Sequence, residues 1–248
     1  MIVIKSDHEI KIMREAGKVT AQVLEKLGNA LKPGITTLEL DKIAEEEIIR
    51  QNMFPAFKGY NGFPASICVS INEQVVHGIP SERMIREGDI VSIDVGVRYQ
   101  GYHGDAARTF SVGAVTDEAK KLIQVTEKSF FEGLKYCKKE FRLSDISNAI
   151  QNYVESEGFS IVKDFVGHGI GRDMHEDPQI PNYGKPGRGP RLAEGMVFAI
   201  EPMVNAGTDQ VTVLLDNWTV VTDDAKLSAH YENTVLITDG EPEILTII

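Results

Sequence analysis

The sequence predicts a mixed α+β chain made of two pseudo-symmetric halves, on two observations. The first is a repeated phrase: Glu87-Gly88-Asp89-Ile90-Val91-Ser92-Ile93-Asp94 returns as Glu194-Gly195-Met196-Val197-Phe198-Ala199-Ile200-Glu201. Each copy is a Glu-Gly pair, an apolar β-favouring run, then Ile followed by an acid. Such runs, opened by Gly, read as strands buried on both faces. The second observation is order, since each half runs helix, short loop, helix, strands, then the phrase. The spacing between copies is far longer than a solenoid repeat, so two lobes fit better than an array. The expected halves are 1–115 and 116–248 of a single domain. An ionised carboxylate at the end of a buried strand is costly unless a cation meets it. Two such strands therefore predict acids gathered around a shared cation site between the lobes, where clefts form.

The elements follow in order. Ser6 and Glu9 have capping-box spacing and open a helix carrying Ile10, Met13, Val19, Val23, Leu24 and Leu27, with Gly28 as its stop. His8, in its first turn, reads as a surface residue. After the Lys32-Pro33-Gly34 turn, Thr36 and Glu39 form a second capping box, and Leu40, Ile43, Ala44 and Ile48 line one helix face. Glu45-Glu46-Glu47 reads as a solvated face. The stretch Phe57 to Pro64 sets two glycines and a proline among three aromatics, Phe57, Tyr60 and Phe63. It is a loop whose aromatics either pin it or line an apolar pocket. Ser66 to Ile71 alternates like a strand, with Cys68 in the core or in a pocket wall. No neighbouring base or helix start would lower the Cys68 pKa, so it is not expected to be a nucleophile. His77 stands at a strand end before a turn and, taken alone, reads as structural.

Ile90–Tyr99 and Tyr102–Phe110 form a hairpin through Gln100-Gly101. That turn sets Asp94 opposite Ala107 and places Asp105 two residues along on the same face. Two acids there repel unless a proton or a cation sits between them. His103, close to the turn, reads as an ordinary edge residue.

In the second half Thr116 and Asp117 open a helix carrying Leu122, Val125, Phe130, Leu134 and Cys137. Ser144 is expected to cap the next, with Ile146, Ile150, Tyr153 and Val154 on its face and Gly158 ending it. The run Phe165 to Glu176 holds His168 and His175 amid three glycines. Their spacing is not that of the helical His-Glu-x-x-His zinc motif, and no Lys-Ser/Thr follows to cradle a phosphate. Pro178 to Pro190 reads as a surface loop. The last strand set includes Asn217–Val221 and Ser228–Ile237, with Glu232 heading an apolar strand and Trp218 either core or cleft rim.

Composition excludes several classes. The formal net charge is −11 with no long Lys/Arg run, which argues against a stable nucleic-acid binder. Cys68 and Cys137 provide no disulfide framework, so a reducing, cytoplasmic location is expected. No apolar run reaches membrane-spanning length, and Met1–Lys18 is too charged for a signal peptide. No large apolar surface helix stands out, so a monomer is expected.

Asp94, Asp105, His168, Glu201 and Glu232 together suit two close divalent ions bridged by carboxylates and a water. Oxygen-rich ligation with one imidazole favours Mn, Fe or Co over a thiolate-type structural zinc site. Two such ions can acidify the shared water and stabilise both ends of a displacement.

The order and spacing of these residues resemble the type I methionine aminopeptidases. The matching stretches are Val76-His77-Gly78-Ile79-Pro80, Asp89 to Asp94 with Gly96, Gly101 to Asp105, His168 to Pro178, Glu201-Pro202-Met203 and Tyr231-Glu232. The resemblance implies the pita-bread (creatinase/aminopeptidase) fold, with a central antiparallel sheet covered by helices. It implies a peptidase that removes the initiator methionine from nascent polypeptides when the second residue is small, by a hydroxide bridging two divalent ions (Co, Mn, Fe or Zn). A third, monovalent cation is implied as well. Asp94, Asp105, His168, Glu201 and Glu232 carry over as ligands, with Asp105 and Glu232 bridging. His77 and His175 carry over as hydrogen-bond donors to the scissile amide, and Glu201 also as the proton carrier. Tyr60, Phe63, Cys68 and Trp218 match the methionine pocket, whereas Phe57 and Met174 stand where family members vary. Gly187-Arg188-Gly189-Pro190-Arg191 reads first as a turn with solvated arginines and second as a transient ribosome contact.

Overall fold

The first element of the computed structural model, which describes residues 1–248, is a long helix, α1 (Asp7–Ala30). Glu9 Oε2 accepts the Ser6 backbone N–H at 2.8 Å and its hydroxyl at 2.7 Å, which fixes the start as the spacing predicts. The helix does not stop at Gly28. That glycine lies inside it because a Cβ there would meet the Phe110 ring at 2.5 Å, so close packing and not termination selects it. In α2 (Thr37–Arg50) the Thr36–Glu39 box is present, with Thr36 N–H donating to Glu39 Oε2 at 2.7 Å. Glu47 departs from the solvated-face reading: it is buried, and Lys26 Nζ reaches it at 2.7 Å while Arg50 covers it from its own helix.

Strands β1 (Phe54–Pro55), β2 (Ile67–Ile71), β3 (Gln74–Val76), β4 (Ile90–Tyr99) and β5 (Tyr102–Ser111) complete the first half. β4 pairs with β5 along its whole length and with β1 and β2 on its other edge. The β4–β5 turn has φ 47 at Gln100 and φ 83 at Gly101, the left-handed pair a two-residue hairpin needs. Asp94 pairs with Ala107 and Gly96 with Asp105, as expected from that turn. His103 is not an edge residue. It is buried under the Gly171 segment, whose carbonyl accepts the His103 backbone N–H at 3.0 Å and lies 3.1 Å from its Nδ1.

The second half opens with α3 (Asp117–Leu134) and α4 (Leu143–Ser156), so Cys137 falls just past the end of α3. α4 starts two residues earlier than Ser144 would set it, with Arg142 at the cap. Asp145 Oδ2 accepts the Arg142 N–H at 2.7 Å, and Ser144 Oγ instead binds the Arg188 backbone N–H at 2.6 Å, pinning the basic loop. Short strands follow: β6 (Ser160–Ile161), β7 (Gly167–Gly169), β8 (Glu176–Ile180), β9 (Val197–Ile200) and β10 (Met203–Asn205). The last are β11 (Val211–Val213), β12 (Val220–Thr222), β13 (Ser228–His230), β14 (Asn233–Leu236) and β15 (Glu243–Ile244). β8 takes in Pro178, and Asn182 is fully buried, so the expected surface loop begins only beyond it. Trp218 lies in the turn before β12 and not in a strand.

The main sheet of this half has the order β15-β14-β9-β7-β8, and β3 of the first half joins β12 and β11 in another. Both Glu-Gly pairs are left-handed turns, φ 91 at Gly88 and φ 83 at Gly195, which is why glycine opens each phrase. One apolar core packs α1 and α2 on β2, β4 and β5, and a second packs α3 and α4 on strands of the second half. A third joins Met13, Phe57, Phe63 and Cys68 to Ile170, Met174 and Val197, across the two halves. The mixed α/β architecture with antiparallel sheets is therefore as expected.

Candidate metal centre

The acids meet where β5 runs beside the β13–β14 segment. Ala107 and Glu232 exchange backbone hydrogen bonds, Glu232 N–H to Ala107 O at 2.9 Å and Ala107 N–H to Glu232 O at 3.3 Å. On either side hydroxyls replace the ladder. Thr234 Oγ1 accepts the Asp105 N–H and donates to the Asp105 carbonyl, both at 2.9 Å. Thr109 Oγ1 treats His230 in the same way, at 2.9 and 2.8 Å. Arg108 closes over this seam, its guanidinium donating to Asn233 Oδ1 at 2.7 Å and stacking 4.2 Å from the Tyr231 ring centre. The seam brings Glu232 beside Asp105, while the hairpin register has already set Asp94 on the same face.

Glu201 follows directly on β9, and β9 pairs Ala199 with His168 of β7. His168 Nε2 lies 3.6 Å from Glu201 Oε1 and 3.9 Å from Asp105 Oδ2. Its Nδ1 is 2.9 Å from the Gly169 carbonyl, an oxygen that can only accept. The ring proton is therefore on Nδ1, and the neutral Nε2 lone pair faces the carboxylates, as a metal ligand requires. All five residues expected to act together are thus in one place.

Electrostatics make the cluster untenable as four free anions. Burial pushes the Asp94 carboxyl up to about 7. Burial, then the charge of Glu232, drives Asp105 well above the usual carboxylate range. Glu201 and Glu232 are raised likewise by burial and by their acidic neighbours. Burial holds His168 near 3, so no protonated imidazole compensates them. Asp94 Oδ1, Asp105 Oδ1 and Glu232 Oε1 are buried without a hydrogen-bond partner. Each such atom costs roughly 1–3 kcal/mol if left unpaired. Hard, oxygen-seeking cations satisfy all of them at once, so the residues present fit divalent metal. The ligand atoms fall into two groups, Asp105–His168–Glu232 and Asp94–His230–Glu232, each within 4.8 Å.

His230 has no counterpart among the sequence expectations. Its Nε2 lies 3.7 Å from Glu201 Oε2 and 3.9 Å from Glu232 Oε2. The signal that could have found it is parity, because residues two apart on a strand share a face.

A cavity of about 220 Å³ opens on the acids. Its apolar side is formed by Phe57, Tyr60, Phe63, Cys68 and Trp218, so the loop aromatics and Trp218 both line it. Phe63 and Trp218 meet edge to face, ring centres 5.1 Å apart. Phe57 and Met174 lie over Gly96, where a Cβ would meet the Phe57 ring at 2.4 Å and Met174 Cε at 2.8 Å. Burial raises the Cys68 thiol well above its usual range, so it stays protonated and acts as wall. His77, with φ 59, turns into the cavity beside Phe165 and Trp218. His175 stands at the mouth, its Nδ1 2.8 Å from the Tyr60 hydroxyl and its ring 4.2 Å from that of His168. The His175 loop is tied down from the N-terminus by a buried ion pair, Lys5 Nζ to Glu176 Oε2 at 2.6 Å.

Comparison with known proteins agrees with this geometry. The model of the family described as metallopeptidase family M24 matches residues 11–239. The methionine aminopeptidase of Clostridium perfringens is 59% identical over 100% of both chains. The crystal structure of a methionine aminopeptidase from Thermotoga maritima superposes with a TM-score of 0.99, at 47% identity over 100% of both chains. A prolidase from Pyrococcus furiosus shares the fold alone, with a TM-score of 0.80 at 22% identity, covering 99% of this chain and 66% of that one.

Proposed function

The chain belongs to metallopeptidase family M24, and from that premise we propose how its pita-bread fold performs the family's chemistry. It is a divalent-metal-dependent methionine aminopeptidase, which removes the N-terminal methionine from nascent polypeptides whose second residue is small. The observation that carries the reading is the set of buried, unpartnered carboxylate oxygens beside the His168 imidazole at the end of an apolar slot.

In this reading Asp94, Asp105, His168, Glu201 and Glu232 would hold two divalent ions. The bound ions supply Lewis acidity, which polarises the scissile carbonyl and makes water nucleophilic near neutral pH. Phe57, Tyr60, Phe63, Cys68 and Trp218 enclose the methionine side chain. An apolar slot separates side chains by only about 1–3 kcal/mol per methylene, so its preference for Met is strong but not absolute. In this reading the Tyr60 hydroxyl, 2.8 Å from His175 Nδ1, is the donor of that hydrogen bond, so that the His175 proton is on Nε2. His175 and His77 then offer N–H donors where negative charge develops on the carbonyl oxygen. Glu201 accepts the proton of the attacking water and returns it to the leaving amine.

The ions are drawn from Co, Mn, Fe and Zn, with a third, monovalent cation elsewhere. The protein works as a cytoplasmic monomer, one catalytic domain with halves 1–115 and 116–248. It meets its nascent-chain substrates without stable nucleic-acid binding, and the Gly187–Arg191 loop is a turn with solvated arginines before it is a ribosome contact. No helix of the protein is long and apolar enough to cross a membrane.

Methionine release from Met-Ala, Met-Ile and Ala-Pro peptides, before and after chelation and with Mn, Fe, Co or Zn restored, tests the reading. Fast cleavage of Met-Ala alone, lost on chelation and recovered with metal, is expected. Preferred cleavage of Ala-Pro, or activity indifferent to chelation, would overturn it.

A further inference from the structure

His230 is a buried histidine, 2% exposed, whose Nε2 has no hydrogen-bond partner. Its position is not incidental. Thr109 Oγ1 holds its backbone N–H and carbonyl at 2.9 and 2.8 Å, and alternation along the strand turns its ring to the face that Glu232 uses. A histidine serving the core as a hydrogen-bonded residue would have a partner within about 3.2 Å. His230 Nε2 instead stands 3.7 Å from Glu201 Oε2 and 3.9 Å from Glu232 Oε2. Those distances are too long for hydrogen bonds. They match the separation of two donors on one ion, since metal–ligand bonds of about 2.0–2.2 Å place neighbouring donors roughly 3–4 Å apart.

His168 provides an internal standard. Its Nε2 lies 3.6 and 3.9 Å from Glu201 and Asp105, nearly the same pair of distances. The two groups of ligand atoms are also built alike: each has one aspartate from the β4–β5 hairpin, one imidazole from the second half, and Glu232 in common.

We infer that His230 is a sixth protein ligand of the centre, supplying the ion held by Asp94 and Glu232 with an imidazole of its own. This rests on the metallopeptidase reading of the same site. It gives each ion one nitrogen donor, where the sequence alone suggested a single imidazole for the pair. A second imidazole shifts the site toward Zn, Co and Fe and away from Mn, because nitrogen donors favour the later ions.

Cobalt(II) is the probe. The full-length protein is loaded with two equivalents, and X-ray absorption at the cobalt edge counts the imidazoles per metal. The expected result is an average of one imidazole per cobalt, falling to half in His230→Gln and equally in His168→Gln. Calorimetric titration should show one of the two cobalt affinities lowered at least about 10-fold in His230→Gln. The same variant should gain in Mn relative to Co occupancy. Metal-free melting of the variant, measured alongside, establishes that it folds. Half an imidazole per cobalt in the unmodified protein would overturn the inference and leave the parent reading intact, and so would an unchanged count in a folded His230→Gln that still holds two cobalts per chain. Failure of the unmodified protein to bind cobalt at all would sink the parent reading and this inference with it.

Discussion

The two halves bring their groups to the centre by opposite means. The first uses regularity: β4 and β5 are ten residues each, paired in register from end to end, and they fix Asp94 and Asp105 by strand alternation alone. The second uses interruption. His168 lies on a three-residue strand where the β7–β8 register shifts, Glu201 one residue past β9, and Glu232 in the gap between β13 and β14. A continuous ladder spaces side chains rigidly but points them in parallel. Broken strands allow side chains from several elements to converge on one point, and ligation of an ion needs both.

The largest test of this contrast removes a ligand from each half. Glu232→Gln and Asp105→Asn should each reduce methionine release to the level of the chelated protein, because an incomplete set cannot hold the ions where water is activated. Elemental analysis should show metal per chain falling in both. If one variant retained full metal and turnover, the two halves would not be equal contributors.

Next in size is His175→Ala, which removes a donor aimed at developing charge. A fall of about 10²–10³-fold in kcat with KM little changed is expected from steady-state kinetics. An effect on KM alone would reassign His175 to ground-state binding.

Gly96→Ala probes the regular half, because the added methyl must displace Phe57 and Met174. Overpacking of this kind costs about 1–3 kcal/mol. Calorimetry should show a Tm lower by about 2–4 °C for each kcal/mol, and KM for methionyl peptides should rise as Phe57 moves. An unchanged Tm would mean that this wall of the slot is slack.

The smallest effect lies furthest from the centre, at Glu47. Lys26 first, with Arg50 and Gln51, holds its carboxyl down at about 2 against an ordinary 4.5. Because the folded value is the lower one, the ion pairing contributes fully above pH 4.5 and is lost as pH falls toward 2. Glu47→Gln should cost about 1 kcal/mol near neutral pH. The difference in denaturant midpoint from the parent should narrow through that acidic window, and a constant gap would count against the pairing.

Legibility in the sequence follows the same division. The β4–β5 register could be read to the residue, because a Gln-Gly turn and period-two alternation leave little freedom in it, although β5 runs one residue beyond the expected Phe110. The capping boxes at Ser6 and Thr36 were equally plain, being local. Gly28 misled because nothing nearby reveals that Phe110 packs on it. Glu47 misled for a similar reason, its Lys26 partner lying a helix away. At the centre, four strand-end acids and a Gly-flanked histidine pointed to a shared cation site, but how they converge could not be read, since the seam that joins β5 to Glu232 is made by threonine hydroxyls and leaves no periodic trace. His230 escaped notice because no motif spacing marks it, although its parity with Glu232 was visible.

The seam has a consequence for synthesis. Its bonds join residues 121 to 129 positions apart in the chain, Thr109 to His230 and Asp105 to Thr234. A ribosome-bound fragment ending before Ser228 carries the hairpin and both aspartates with no opposite wall to receive them. Contacts so distant in sequence form late. The enzyme that trims newborn chains therefore acquires its own cutting centre only once the β13–β14 segment has been made.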